Sequence, residues 1–384
     1  MKDYVKKIDR FHEIEKEVEV SRRFGIDYRA EKGKTKRITD LYHPSSLDLK
    51  VSEIIEETPF AKTLRLVSKS GYLPPFQAGQ YINLYGEVHG IKTSRPYSIS
   101  SSPRQRAYYD ITVARIENGF FSDFLLDSVK PGDSFTSSAP SGNFYFNPLF
   151  HSKNSVFIAG GSGITPFMSM IQEICDAGLD RNVTLIYGNR KDENIIFHKR
   201  LTDLSAARSN ISYIPVISEP GKNYTGKCGY IDSCCISENV SDKDSCTYYI
   251  CGPEAMYDFC LPQLESLQIP GRKIRKEMFS TAGNVTEEHG WPSNLTGEEE
   301  FTVKVRGKGD IKAKSGETLL ASLEREGIII PVNCRCGECS ICRVKLITGR
   351  VFMPRGVLLR EADSKFGYIH SCKAYPLEDL EIML

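Results

Sequence analysis

The sequence predicts a multidomain protein with an antiparallel β-barrel first, an α/β domain on a parallel sheet second, and a small α+β domain last. Its 384 residues are enough for two to four domains at roughly 100–200 residues each. Strand-like runs separated by Gly and Pro fill residues 47–150, which indicates the barrel. Apolar strands alternate with helical stretches over 151–280, a pattern typical of a parallel sheet. The polar residues 281–300 are predicted to be a linker before the last domain, 301–384.

The composition is that of an ordinary soluble globular protein. Lys and Arg number 50 against 49 Asp and Glu, which gives a net charge of +1. Such a balance gives no support to nucleic-acid binding by the whole chain. The best apolar run, 155–171, is interrupted by glycines and a proline, so no membrane span is expected. The start of the chain lacks the apolar stretch of a secretory signal, and we expect a cytoplasmic protein whose twelve cysteines are thiols or metal ligands.

Charge is distributed unevenly along the chain. Residues 1–46 carry twelve basic and nine acidic side chains and residues 301–384 carry fourteen and ten, so the middle of the chain is acidic. The first half of residues 1–46 has a pattern that a helix can adopt, but nothing there is typical of a packed domain. We treat residues 1–46 as an N-terminal extension of unknown role.

Three segments of the barrel region have strand composition, at 64–67, 80–85 and 110–113. The α/β region contains three strand–helix pairs, at 156–159 with 165–177, 183–187 with 197–207, and 248–251 with 254–267. The last domain begins with an alternating strand at 301–305 and has one helical stretch at 318–326.

Four cysteines near the end of the chain have the spacing of iron ligands. Cys334, Cys339 and Cys342 form Cys-x4-Cys-x2-Cys, and Cys372 follows. This is the plant-type pattern for a 2Fe–2S cluster, in which four thiolates hold two irons. A zinc site and structural thiols are the alternatives, but zinc usually takes two Cys-x2-Cys pairs and only one is present. Cys336 lies inside the loop, and we expect a bystander rather than a substitute ligand because the spacing is met without it.

With that loop in place, residues 301–384 resemble a plant-type ferredoxin domain. Pro331-Val332-Asn333 stands where the cluster loop of that family begins. The resemblance implies the β-grasp fold.

The segment Arg95-Pro96-Tyr97-Ser98 falls on a predicted barrel strand. Arginine forms charge-assisted bonds to a pyrophosphate, an aromatic ring can lie on an isoalloxazine, and a hydroxyl can hydrogen-bond the reactive ring nitrogen. The segment resembles the Arg-x-Tyr-Ser signature of the ferredoxin–NADP reductase superfamily. The resemblance implies a bound flavin, with Arg95, Tyr97 and Ser98 in those three roles; an ordinary exposed strand is the alternative.

A second phosphate-binding segment follows in the same region. Gly119, Phe121 and Ser122 lie at the start of a helical stretch and resemble the family's Gly-x-x-Ser segment, where a helix N-terminus receives the flavin phosphates. Ser122 can also be a plain N-cap, or serve both purposes. The second phosphate segment favours FAD, with FMN as the alternative.

A glycine-rich turn opens the α/β region. Gly160, Gly161 and Gly163 follow a buried strand, and Thr165 and Pro166 open a helix. Glycines let the backbone approach a pyrophosphate, and the helix start offers free N–H groups. The segment resembles the Gly-Gly-x-Gly-Ile-Thr-Pro motif of the same superfamily, which implies nicotinamide binding; a turn without a ligand is the alternative.

Two later strand ends also resemble that family: Cys251-Gly252-Pro253, with Met256 after it, and Glu277-Met278-Phe279. The first lies at the carboxyl edge of the sheet, where ligands bind in open α/β folds. The resemblance places Cys251 beside the nicotinamide and Phe279 near the flavin. A buried inert thiol and a core phenylalanine are the alternatives.

The choice of nicotinamide depends on two charged residues. Arg190 follows the second parallel strand, and relatives of both specificities carry an arginine there. Glu219 follows the next strand, and its carboxylate would repel a 2′-phosphate while accepting ribose hydroxyls. We expect NADH, with NADPH as the alternative.

Together these segments resemble the phenylacetyl-CoA epoxidase reductase and hybrid-cluster-protein reductase groups. The resemblance implies electron transfer from NADH to FAD to a 2Fe–2S cluster and then to an acceptor metalloprotein such as an oxygenase component, with Ser98 and Cys251 at the hydride step. An anaerobic acceptor (a hybrid-cluster or corrinoid protein) and a non-catalytic redox-sensing subunit are the alternatives. The basic last domain favours a partner with an acidic docking face.

Overall fold

The computed structural model describes residues 10–25, 33–116, 119–279 and 284–384. It divides into two compact units, Met1–Ser45 and Ser46–Leu384. The described part of the first unit contains helix α1 (Phe11–Phe24) and helix α2 (Lys34–Tyr42), neither of which has a buried side chain. The helix expected in the first half of the extension is confirmed, and α2 was not predicted.

Six antiparallel strands form the first sheet of the second unit. Their bounds are β1 (Leu47–Thr58), β2 (Ala61–Ser68), β3 (Tyr81–Val88), β4 (Ile91–Ser98), β5 (Tyr109–Ala114) and β6 (Ser134–Ser137). They pair in the order β4-β3-β6-β1-β2-β5. A bridge between Ile99 and Ile111 joins the end of β4 to β5, so the two edges of the sheet meet. The predicted antiparallel barrel is confirmed.

Alternation of side chains builds the barrel core. Leu47, Leu49 and Val51 of β1 are buried, while the residues between them are exposed, as the two-residue period of a strand requires. Helix α3 (Phe120–Asp127) buries Phe121 in the same core.

The second sheet is parallel and lies between two layers of helices. Its strands are β7 (Asn154–Gly160), β8 (Asn182–Asn189), β9 (Ile211–Ile217), β10 (Lys227–Cys228), β11 (Cys246–Cys251) and β12 (Ile274–Glu277). They pair in the order β10-β9-β8-β7-β11-β12. The helices are α4 (Thr165–Ala177), α5 (His198–Ala207), α6 (Ser233–Asn239) and α7 (Glu254–Ser266). Separate cores form on the two faces, so the central strands are buried almost throughout. The three predicted strand–helix pairs are confirmed.

The third region is a small mixed sheet with short helices. Its strands are β13 (Glu300–Val305), β14 (Gly309–Lys314), β15 (Arg343–Thr348), β16 (Val351–Phe352), β17 (Tyr368–His370), β18 (Tyr375–Pro376) and β19 (Leu380–Met383). The main sheet has the order β14-β13-β19-β15-β17, and β16 pairs with β18. Helix α8 (Leu319–Arg325) is the predicted one, and the short helix α9 (Glu361–Lys365) was not predicted.

The segment 284–299 packs on this third region. The Trp291 ring meets Phe352 edge-on, with centroids 5.3 Å apart, and its Nε1 donates to the Leu295 carbonyl at 2.8 Å. Among the described residues, no helix is long and apolar enough to cross a membrane.

Candidate active site

The strand β4 carries a half-buried arginine, Arg95, that has no ion-pair partner of its own among the described residues. Arg95 Nη1 donates to Thr93 Oγ1 at 2.7 Å and to the Ser94 carbonyl at 2.8 Å. Burial, and then the nearby positive charge of Arg335, lower the pKa of Arg95 to about 10. No ion pair to Arg95 occurs among the described residues. A desolvated cation of this kind fits the phosphate of a flavin.

Ser98 on β4 and Glu277 at the end of β12 each have a buried polar atom without a hydrogen-bond partner. Ser98 Oγ and Glu277 Oε2 make no hydrogen bond in the structure, although the Ser98 hydroxyl is near enough to lower the pKa of the Glu277 carboxyl. Burial outweighs that effect and raises the Glu277 pKa well above its usual range. Orphaned buried polar atoms are uncommon, so they point to a polar ligand. The flavin ring expected beside Ser98 fits this requirement.

Aromatic residues occur close to Ser98 and Glu277 in the structure. Tyr97 is half-buried on β4, and burial raises its pKa. Phe279 meets Tyr81 edge-on, with ring centroids 5.3 Å apart. Tyr81 opens β3 opposite Ser98, a pairing that no local motif marks, which is why the sequence did not single it out.

The start of helix α3 differs in detail from the expectation. Gly119 is the N-cap, so the interpretation of Ser122 as a plain N-cap is wrong. Ser122 is the third helical residue, and its buried Oγ has no partner. The Phe121 side chain lies in the barrel core, which leaves only its backbone to meet a ligand. An unpartnered hydroxyl in the first turn of a helix is suited to a phosphate group.

The glycine turn after β7 fits closely against the end of β11. A Cβ on Gly163 would lie 2.1 Å from the Cys251 carbonyl oxygen, and one on Gly160 would lie 2.5 Å from Met256 Sδ. Gly161 has φ of +52°, which favours glycine. Helix α4 starts at Thr165 with proline in its first turn. The expected juxtaposition of the two strand ends is therefore present.

Cys251 ends strand β11, which lies between β7 and the edge strand β12. It pairs in register with Ala159 on one side and Glu277 on the other. Complete burial raises the pKa of the Cys251 thiol well above its ordinary value, so the side chain is a neutral thiol. A neutral thiol is a poor nucleophile.

Arg190 and Glu219 form an exposed ion pair at the ends of neighbouring strands. Arg190 Nε donates to Glu219 Oε1 at 2.8 Å. Because exposed pairs of this kind contribute little to stability, both side chains are free to engage a ligand.

The thiols of the cysteine loop and Cys372 form two groups, Cys334 with Cys336 and Cys339, and Cys342 with Cys372. Hydrogen bonds from the thiols of Cys336 and Cys339 lower the pKa of Cys334, and one from Cys372 lowers the pKa of Cys342. No group of three His, Cys, Asp or Glu side chains suited to a single metal ion occurs in the part of the chain that the structure describes. Two separate groups with at least two thiols each fit a two-iron cluster, which needs two thiolates on each iron, better than they fit one zinc ion.

Replacing Cys336 tests whether its thiol is an iron ligand. Cys336 is buried and contacts Cys334, but the pairs Cys334–Cys339 and Cys342–Cys372 are complete without it. We expect Cys336→Ser to keep the visible absorbance and the iron content of the cluster. Loss of iron from a protein that still binds flavin would make Cys336 a ligand.

Comparison with known proteins agrees with this geometry. Three family models match: the oxidoreductase FAD-binding domain over residues 48–146, the oxidoreductase NAD-binding domain over 157–261 and the 2Fe-2S iron-sulfur cluster binding domain over 303–377. The chain is a modular flavin and iron–sulfur reductase. The predicted FAD, NADH and 2Fe–2S cofactors and the prediction of an NAD(P)H-dependent oxidoreductase are confirmed.

Several curated proteins and a solved structure are similar to this reductase over most of its length. The glycine betaine monooxygenase reductase subunit of Pseudomonas aeruginosa is 28% identical over 346 residues, covering 86% of this chain and 93% of that protein. NADH oxidoreductase HCR of Escherichia coli is 29% identical over 335 residues, covering 86% and 96%. The structure of phthalate dioxygenase reductase is 25% identical with a TM-score of 0.67, covering 88% of this chain and 97% of that one.

Proposed function

We propose that this reductase takes electrons from NADH and delivers them from its ferredoxin domain to the oxygenase component of a monooxygenase or dioxygenase system. Bound FAD would accept both electrons of a hydride and release them singly to the 2Fe–2S cluster. The observation that carries the proposal is the position of the cysteine loop: one side is buried against the barrel, and the other side is exposed at Ile341. An electron can thus enter from the flavin side and leave at the surface.

The residues of the barrel and the parallel sheet hold the two reacting groups together. Arg95 and Ser122 would bind the flavin phosphates, and the Ser98 hydroxyl would donate to the reactive flavin nitrogen. The glycine turn and the start of helix α4 would hold the nicotinamide pyrophosphate. Cys251, with its neutral thiol, would pack beside the nicotinamide and exclude water from the hydride path.

Similar proteins favour an oxygenase as the acceptor of the electrons. A glycine betaine monooxygenase reductase subunit and phthalate dioxygenase reductase both resemble this chain over its flavin, nicotinamide and ferredoxin regions.

Steady-state reduction of an artificial one-electron acceptor by NADH, with full flavin and iron loading, tests the reductase activity. Absence of turnover would contradict it. Affinity purification from the native cell then identifies the acceptor, and capture of a metalloprotein without oxygenase activity would contradict the oxygenase assignment.

Glu219 is proposed to select NADH over NADPH. We expect Glu219→Gln to raise kcat/KM for NADPH about tenfold, because it removes a negative charge near the 2′-phosphate and releases Arg190 to bind it. Steady-state kinetics with both nucleotides measure the change. Glu193→Gln removes an exposed acidic charge in the loop after β8 and serves as the control. An unchanged NADPH value in Glu219→Gln would place the ribose elsewhere.

The exposed side of the cluster loop is proposed to dock an acidic partner. Ile341 and Leu358 are 46% and 61% exposed, and the Leu358 N–H donates to the carbonyl of Gly337 inside the loop. Residues 341–373 contain seven Lys or Arg and two acidic residues, of which Lys373 and Asp363 are buried, so six basic residues and one acidic residue remain at or near the surface. Apolar contact at the centre with positive charge around it suits an acceptor with an acidic rim.

Reversing one charge tests the docking face. We expect Arg355→Glu to slow reduction of the purified native acceptor about tenfold at low salt, with the difference shrinking as salt is added, because steering between exposed charges is screened. The control is Arg272→Glu, which makes the same charge change in the nicotinamide domain. An acceptor rate that neither salt nor Arg355→Glu alters would contradict an acidic docking partner.

A further inference from the structure

A buried ion pair lies where the ferredoxin domain meets the barrel. Arg335 directly follows Cys334, and Glu324 lies on helix α8; they are 6% and 7% exposed. Arg335 Nη2 donates to Glu324 Oε1. Burial of an ion pair is costly unless further hydrogen bonds satisfy its polar atoms. Arg335 Nε has no partner, so the contacts of the other polar atoms determine the role of this pair.

The additional partners of this pair belong to the flavin strand. Arg335 Nη2 also donates to Thr93 Oγ1 and to Ser94 Oγ, both at 3.3 Å. Thr93 Oγ1 donates to Glu324 Oε2 at 3.1 Å. The ion pair is therefore bonded as a unit to the strand that carries Arg95.

Thr93 connects the two cofactor sites through one hydroxyl. Its Oγ1 accepts from Arg95 at 2.7 Å and from Arg335, and it donates to Glu324. These three hydrogen bonds use the full capacity of a hydroxyl group. Arg95 is the predicted flavin-phosphate residue, and Arg335 is the neighbour of a cluster ligand.

The residues before Cys334 are also bonded to the barrel. The Asn83 side chain donates to the Val332 carbonyl at 2.9 Å, and the Asn333 side chain donates to Ser141 Oγ at 3.2 Å. The loop is thus attached to the barrel on both sides of its first predicted ligand. By contrast, Arg325 on the same helix α8 pairs with Glu317 and with the Lys312 carbonyl, all inside the ferredoxin domain.

From these contacts we infer that Arg335 and Glu324 are positioning residues that hold the cluster loop on strand β4 through Thr93, and so set the rate of electron transfer from flavin to cluster. The inference rests on the proposed function, because it needs electrons to pass between these two cofactors. A small displacement of reacting groups can cost about 100-fold in rate, so loss of the attachment should slow this step selectively.

The test uses the full-length protein with both cofactors bound. Thr93→Val keeps the shape of the side chain and removes its three hydrogen bonds, and Thr93→Ser restores the hydroxyl. In anaerobic stopped-flow with NADH, we expect Thr93→Val to reduce its flavin within twofold of the wild-type rate and its cluster at least tenfold more slowly. Thr93→Ser should recover the cluster rate. The midpoint potential of the cluster and the iron content should not change.

Two further variants keep the result decisive. Glu324→Gln removes the charge that fixes Arg335 and should also slow cluster reduction. If Thr93→Val fails to bind flavin, the rate of cluster reduction in Glu324→Gln tests the inference without it. Arg325→Gln, which breaks the partly exposed ion pair between Arg325 of the same helix and Glu317, should leave both rates unchanged. Cluster reduction within twofold of wild type in Glu324→Gln, and in Thr93→Val where that variant binds flavin, would overturn the inference. A wild-type cluster that NADH does not reduce at all would instead overturn the proposed function.

Discussion

The Cys339→Ser variant is expected to lose the visible absorbance of the 2Fe–2S cluster while NADH still bleaches its flavin. Cys339 and Cys334 form one of the two thiol pairs, and one iron cannot be held by a single thiolate of that pair. The flavin strand and the glycine turn belong to other regions of the chain and do not need the cluster. We expect reduction of the native acceptor to fall at least 100-fold.

Absorbance spectra, iron content and single-turnover flavin reduction measure these effects together. Cys234→Ser is the matched control, because this exposed thiol of the nicotinamide domain lies outside the cluster loop. It should keep both chromophores and both rates. Loss of flavin reduction together with the cluster in Cys339→Ser would contradict independent cofactor sites.

Gly163→Ala is expected to reduce the rate of flavin reduction by NADH about 100-fold. The new Cβ would lie 2.1 Å from the carbonyl oxygen of Cys251 and 2.7 Å from the nitrogen of Gly252, so the glycine turn must move away from β11. That movement separates the pyrophosphate site from the nicotinamide site. Overpacking of this kind also lowers the free energy of unfolding by about 1–3 kcal/mol.

Stopped-flow at saturating and subsaturating NADH measures the rate of flavin reduction, and a thermal unfolding curve measures the loss of stability separately. Gly271→Ala is the control, since a Cβ at Gly271 meets no atom within 4 Å. The cluster of Gly163→Ala should still be reduced by dithionite. A normal rate of flavin reduction by NADH in this variant would mean that the nucleotide does not bind at this turn.

The cofactor motifs could be predicted from the sequence because each is local. A glycine turn at the end of a strand, or three cysteines in one loop, needs only a few adjacent residues to be recognised. Parallel strands also end at a common edge, so the order of strands and helices along the chain is enough to place Cys251 near the glycine turn. The predicted strand–helix pairs of the second sheet follow from their apolar periodicity in the same way.

Contacts between distant segments could not be predicted in this way. Glu324 and Arg335 meet Thr93 across more than 200 residues of chain, and neither is part of a motif for the flavin. Phe121 occupies a motif position but packs in the barrel core, since an aromatic ring on the inner face of helix α3 gains most by burial. The five-residue helix α9 is too short to show a helical period.

The measurement that tests the electron path most directly is an anaerobic single turnover of the fully loaded wild-type protein with one equivalent of NADH. We predict that flavin absorbance falls first and that cluster absorbance then falls in a slower phase, with both changes complete before any acceptor is added. A cluster that stays oxidised while the flavin is reduced, although dithionite reduces it readily, would contradict electron transfer from the flavin to the ferredoxin domain.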